Sequence, residues 1–307
     1  MLELMLPVAG QIIKLFLLII VGFAAIKIGA VPKETGAIFS KLLLNITLPC
    51  TILSSVLGSG SNLPMGSLLL CLLYATLALL ISFGIGYVLP KYVYKAGKDT
   101  GTHAFLGSQS NFGFMGIPVT LSVFGPGAGI YSSLVQIPAN LLTYSLGIKL
   151  IAPAGEKMSI KKLLLNTGSL SSILALVLYF AKVKLPDVIF SSVELLAGIT
   201  TPGAMLIIGM TLASYPLKGL FTDFRLYCTL LVRLVVVPLA VLGFMKLVHA
   251  DPFFTSVFTL QLAMPSATIT AMLSIQYGGN ANLAGKGIFL TTLISAVTLP
   301  VWAAILM

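Results

Sequence analysis

Two short segments of this 307-residue chain set polar side chains inside otherwise apolar runs. One reads Ser108-Gln109-Ser110-Asn111-Phe112-Gly113-Phe114-Met115-Gly116-Ile117-Pro118, the other Gln261-Leu262-Ala263-Met264-Pro265-Ser266-Ala267-Thr268. Pro118 and Pro265 each remove a backbone donor and crowd the preceding turn, and Gly113 and Gly116 relax the chain ahead of Pro118. The first helix is expected to stop near 113–116 and restart at Pro118, because proline suits a first turn. The second is expected to break at Pro265, with Ser266 and Thr268 serving the freed backbone groups. A restarted helix presents an N-terminus whose free N–H groups and dipole carry roughly half a positive charge. Two such ends attract an anion without a buried Lys or Arg. Asn111, Ser266, Gln136 and Asn140 add neutral donors and acceptors. The plainer reading is that these groups only patch their own interrupted helices.

All eight acidic residues lie away from both segments. An exchanger of cations or protons needs carboxylates at such breaks, so their absence favours a site whose ligand brings the negative charge. Three further residues are candidates for the pathway. Asn45 belongs to the proline-ended segment Asn45-Ile46-Thr47-Leu48-Pro49. Lys14, near the outer end of the first apolar run, either snorkels to the interface or faces the path. Arg233, about two turns inside the inner end of the eighth, either snorkels or lines an inner vestibule. His103 reads as an inner-edge residue and Trp302 as an anchor at the outer interface. Cys50, Cys71 and Cys228 sit in apolar runs without metal-ligand spacing. Neither a metal, a cofactor nor an enzymatic nucleophile–base pair is expected.

These residues have to be positioned by elements that live in lipid. The chain is 58% hydrophobic and only 8% charged, with a mean hydropathy of +1.07. A soluble domain carries about a quarter charged residues to wet its surface. The net charge of +10 is spread over short gaps between apolar runs, which speaks for membrane orientation and against nucleic acid. The first run begins with Glu3 and is too long for a cleaved leader, so it reads as a retained span. At roughly 20 apolar residues per crossing, about ten spans follow: 8–28, 36–57, 66–89, 101–124, 127–150, 164–182, 189–213, 225–248, 253–276 and 284–306. Lys and Arg crowd the odd gaps (Lys91, Lys95 and Lys98; Lys157, Lys161 and Lys162; Lys218 and Arg225) and largely avoid the even ones, with Lys182 and Lys184 the exception. Both termini are therefore expected outside the cell membrane.

Five spans in 1–150, a basic linker at 151–163 and five spans in 164–307 make two halves of opposite orientation, the build of inverted-repeat transporters. The proline punctuation recurs: Pro49 with Pro202, Pro118 with Pro265, Pro138 with Pro300. The expected fold is thus all-α and integral to the membrane, with two inverted five-helix repeats whose fourth and ninth helices are broken.

The segments Asn111–Pro118, Leu134-Val135-Gln136-Ile137, Ala263-Met264-Pro265-Ser266 and Leu299-Pro300, together with Leu48-Pro49, resemble the auxin efflux carrier family, which includes plant PIN proteins and bacterial malonate or malate permease-like members. The likeness spans essentially the whole chain. It implies a fold like that of bile-acid sodium symporters and sodium–proton antiporters, with spans 4 and 9 crossing. Spans 1, 2, 6 and 7 would form a scaffold, and spans 3–5 and 8–10 a transport unit moving elevator-fashion. Asn111, Pro118, Gln136 and Pro265 match the crossing and substrate region, and family members are often homodimers. The plant members carry charges on the inner side of spans 2 and 3; here Asn45 stands in span 2, and span 3 has no acidic residue. The resulting expectation is a secondary carrier of a small carboxylate, auxin-like or malonate/malate-like. A sodium-coupled symporter of the bile-acid type and a non-transporting membrane sensor stand as alternatives. At this stage the coupling ion, proton or sodium, is open.

Overall fold

A computed structural model describes residues 2–32, 34–58, 63–151, 167–214 and 223–307. The linker expected at 151–163 lies beyond Ile151 outside the described residues, as does Lys218. The described residues form twelve helices: α1 (Leu2–Lys27), α2 (Thr35–Leu57), α3 (Met65–Val93), α4 (Thr100–Ser108), α5 (Phe112–Phe124), α6 (Ala128–Ile151), α7 (Thr167–Phe180), α8 (Asp187–Ser214), α9 (Phe224–Leu247), α10 (Pro252–Leu262), α11 (Ile269–Gln276) and α12 (Ala281–Leu306). Among them, extended backbone pairs only at one antiparallel bridge, Ser110 with Ser266.

Six helices, α2, α3, α6, α8, α9 and α12, are each long and apolar enough to cross a bilayer. Their outer faces expose Leu69, Leu73, Leu77 and Leu80 on α3 and Val297 and Val301 on α12. In water such a surface would drive association; in lipid it is ordinary solvation. The chain is an all-helical, multi-pass membrane protein.

Proline shapes these helices without always breaking them. Turns of π-helix at Leu43–Thr47, Phe112–Gly116 and Val232–Val236 each end two residues before a proline, namely Pro49, Pro118 and Pro238. The ring of a helical proline collides with the carbonyl four residues back, and a widened turn moves that carbonyl aside. The freed Leu234 carbonyl behind Pro238 accepts a hydrogen bond from the indole Nε1 of Trp302 at 2.8 Å. Trp302 is buried and is therefore a patch for α9, not the interfacial anchor expected. Its donor has a better partner inside than a headgroup.

Helix α1 packs along α8 with almost no separation. A Cβ on Gly22 would collide with the Leu206 carbonyl, and one on Gly209 with the Ile19 carbonyl. Small residues at a contact let two backbones approach in lipid, where dispersion rather than the hydrophobic effect holds helices together. Helix α2 lies against α7 and α8, tied by the buried Thr51 hydroxyl donating to Thr200 Oγ1 at 2.7 Å. On the other side α3, α4 and α6 pack together, and α9 packs on α3 and α10. Two large apolar cores and two small ones result among the described residues. Met115, Ala263 and Met264 belong to one of the large cores; Phe112, Ile117 and Leu262 belong to the other large core. The seam between them holds both polar segments.

Candidate functional site: the crossed breaks

The interruption between α4 and α5 falls at residues 109–111, and that between α10 and α11 at 263–268. The second lies where the sequence places it. The first is a correction: Gly113, Gly116 and Pro118 are inside the restarted helix, and the break precedes them. Asn111 decides this. Its Oδ1 accepts from the Phe114 N–H at 3.2 Å, a cap at the third helical position, which is where an asparagine N-cap is most effective. Pro118 then follows the π turn and needs no break.

Each break satisfies the other. The Asn111 N–H donates to the Pro265 carbonyl and the Ala267 N–H to the Gln109 carbonyl, both at 2.9 Å. Ser110 Oγ donates to the Leu262 carbonyl at 3.2 Å, and Ser266 Oγ to the Leu106 carbonyl at 2.8 Å. An unmatched backbone group in lipid costs several kcal/mol, so neither break is stable at this depth without its partner. The two serines answer each other across the bridge with the same sequence offset of 156 (266 − 110 and 262 − 106).

The C-terminal ends of α4 and α10 meet at Arg233. Its side chain is fully buried. One terminal nitrogen donates to the Ser108 carbonyl at 2.8 Å and the Gly107 carbonyl at 3.3 Å; the other donates to the Leu262 carbonyl. Helix C-termini carry about half a negative charge each, so one guanidinium between two of them is well matched. Arg233 neither snorkels nor lines a vestibule; it belongs to the crossing itself. Ser82 supports the same point by donating to the Ser108 carbonyl at 2.8 Å.

Among the described residues, the other two ends, the N-termini of α5 and α11, have no counterpart to Arg233. No carboxylate sits in either break or in the turns that follow. Two hydrogen bonds set what stands beside α5. Thr120 Oγ1 and Ser132 Oγ lie 2.9 Å apart, and Gln109 Nε2 donates to Thr143 Oγ1 at 2.6 Å. Both pairs fix one antiparallel register between the 109–124 segment and α6. That register puts Gln136 level with Gly116, and Asn140 level with Phe112. Gln261, from the last turn of α10, lies on the same spot: a Cβ on Gly116 would be 3.6 Å from its Nε2. Gln136 and Gln261 are both buried. Among the described residues, Gln136 Nε2 and both amide atoms of Gln261 have no hydrogen-bond partner. Gly113 is half-buried, and a Cβ there would touch only Leu48 of α2, at 3.7 Å.

Asn111, Gly113, Gly116, Gln136, Pro265 and Ser266 therefore come together, with Asn140 one turn along α6, Thr268 at the start of α11 and Pro118 in the second turn of α5. Asn45 and Lys14 do not join them. Asn45 is exposed and its Oδ1 accepts from Thr167 Oγ1 at 3.0 Å; Lys14 is exposed on α1. His103, expected at an inner edge, is buried and shares Thr229 Oγ1 with the Tyr94 hydroxyl, at 2.7 and 3.0 Å. Gln261 was within a recognised segment yet not singled out. Its signal was a lone polar residue one position before the α10 terminus.

A family profile described as "Membrane transport protein" matches residues 7–162 and 156–303. The chain is 27% identical to an uncharacterized transporter of Methanocaldococcus jannaschii, over 99% of this chain and 100% of that one. It is 21% identical to the uncharacterized transporter YfdV of Escherichia coli, over 95% and 96%. It is 24% identical to a Rhizobium meliloti protein provisionally named a malonate transporter, over 96% and 94%.

Proposed function

The chain belongs to the membrane transport protein family, that of the auxin efflux carriers, and on that premise we propose that it is a secondary carrier of a small organic anion held where α5 and α11 begin. The observation that carries this reading is electrostatic. Arg233 already offsets the C-terminal ends of α4 and α10, while the N-termini of α5 and α11 have no carboxylate in the breaks or the turns that follow to balance them. In a low-dielectric interior the missing negative charge is worth most when a ligand supplies it. Asn111, Gly113, Gln136 and Gln261 offer donors that fit carboxylate oxygens. A short dicarboxylate of malonate size is the first cargo to test, given the relative named for malonate.

The proposed motion follows from the packing. The equal offset of the two serine pairs supports two inverted halves, 1–150 and 164–307, and ten crossings in which α4–α5 and α10–α11 count as one each. Helices α1, α2, α7 and α8 act as the scaffold, and the rest moves against Leu48 on α2, elevator-fashion. Both termini lie outside the cell membrane, as the lysine distribution asks.

One observation favours a second reading, sodium-coupled symport of the bile-acid type. Gln261 Oε1, Thr259 Oγ1 and Ser133 Oγ are buried without partners among the described residues, and neutral oxygens suit a hard cation. Uptake into proteoliposomes with and without a sodium gradient separates the two.

Malonate binding to purified protein tests the site. Asn111→Ala is expected to weaken it about tenfold, from one lost charge-assisted contact, and Ser266→Ala by a similar factor, because the Leu106 carbonyl at the crossing loses its donor. Gln261→Leu should weaken it similarly while leaving the melting temperature unchanged or higher, because it removes a buried amide without partners. If all three variants bind as wild type does, the site is misplaced.

A further inference from the structure

A second basic feature lies away from the crossing. A groove of about 890 Å³ runs between α3, the start of α4 and the end of α6. Its apolar walls are Leu80, Phe83, Gly84, Leu146 and Leu150; toward the end of α3 it carries Tyr87, Lys91, Lys95 and Lys149, and among the described residues no carboxylate lines it. The lysines are exposed. Lys91 is held in place by donating to the Tyr87 hydroxyl at 2.8 Å, over the Tyr87 ring at 4.9 Å. The floor is closed where Gly101 packs on the Leu150 carbonyl.

From Leu80 to Lys91 the helix rises about 16 Å at 1.5 Å per residue. One leaflet of hydrocarbon is about 15 Å thick. An apolar slot about one leaflet long, ending in three lysines with no carboxylate beside them among the described residues, has the dimensions and polarity of one phospholipid with an anionic headgroup. A soluble phosphate would use the lysines and leave the slot empty; a zwitterionic lipid would fill the slot and leave the lysines without a counter-charge. We infer that this groove binds an anionic phospholipid, its acyl chain along Leu80–Gly84 and its phosphate at Lys91, Lys95 and Lys149. Because α3, α4 and α6 pack on one another, the bound lipid stays with those helices.

Native mass spectrometry of the full chain, released from bilayers of equal phosphatidylglycerol and phosphatidylcholine, tests this. Wild type is expected to retain phosphatidylglycerol preferentially. Lys91→Gln, Lys95→Gln and Lys149→Gln should each lower that preference about fivefold, and the triple variant should abolish it. Gly84→Leu keeps every charge; its added side chain enters the groove without meeting protein, since a Cβ there has no atom within 4 Å. It should reduce retention of both lipids while helical circular dichroism stays unchanged. Lys27→Gln with Lys41→Gln should have no effect. Undiminished retention in the triple or the Gly84 variant overturns the assignment. So does an equal loss in the Lys27 and Lys41 control, or displacement of the lipid by inorganic phosphate at matched concentration.

Discussion

Arg233→Met should destabilise the protein by about 3 kcal/mol and weaken malonate binding roughly 15-fold. Two terms oppose each other. Removing a buried cation recovers its desolvation, but the carbonyls and helix ends that hold this one already offset most of that cost. The Gly107, Ser108 and Leu262 carbonyls, however, lose their charged donor, at about 1–3 kcal/mol for each left without a partner. Ser82 still reaches the Ser108 carbonyl, so the sum is set mainly by the other two. The effect on binding is separate. A unit charge acting over about 10 Å at an effective dielectric near 20 is worth about 1.7 kcal/mol, or roughly 15-fold in affinity. Arg233→Lys keeps the charge but not the fork that spans two helix ends. It should retain most of the affinity and lose part of the stability. Thermal unfolding in detergent and calorimetric titration with malonate give the two quantities. A Met variant that melts and binds like wild type would show that Arg233 neither holds the crossing nor polarises it.

The second large effect is expected at the contact of α1 with α8. Gly209→Ala places a methyl into the Ile19 carbonyl and 2.7 Å from the Phe23 nitrogen. Both are backbone atoms of a helix, so no rotamer change relieves the overlap and the two helices must separate. Overpacking of this kind costs about 1–3 kcal/mol, and Gly209→Val should cost more. Gly198→Ala, in the same helix with no atom within 4 Å of the new Cβ, is the matched control. It should be neutral or stabilising by up to about 1 kcal/mol through helix propensity. Thermal midpoints of the three variants, with malonate affinity measured alongside, decide the matter. If α1 and α8 belong to a static frame, the affinity per folded molecule stays near wild type even as the midpoint falls.

What the sequence made legible follows from how strictly lipid constrains a chain. Apolar runs and their polar interruptions stand out because every buried polar group has to be matched. The helices accordingly begin and end within a few residues of those runs. The polar segments around Asn111 and Pro265 could be located for the same reason. The exact break in the first could not. Proline marks a carbonyl in difficulty, but a π turn can relieve it, and whether the helix ends or merely widens depends on a competing cap. Asn111 supplied that cap. Arg233 was misjudged because a long cation near a helix end is compatible with snorkelling; only the approach of Gly107 and Leu262 from other helices reveals its use. Gln261 was passed over for a related reason. Its meaning comes from Gly116, some 145 residues away (261 − 116), and from an α5–α6 register set by two hydroxyl contacts. Asn45 and Lys14 were credible by type and depth alone, and the packing turned both outward.

The reciprocal bond between Asn111, Pro265, Gln109 and Ala267 acts as a rivet through two strands of backbone. Neither interrupted helix can slide without shearing it, so the partial charges around a cargo keep their arrangement whichever aqueous side has access. In deuterated buffer the Asn111 and Ala267 amides should accordingly be among the slowest to exchange, and equally slow in preparations trapped open to either face.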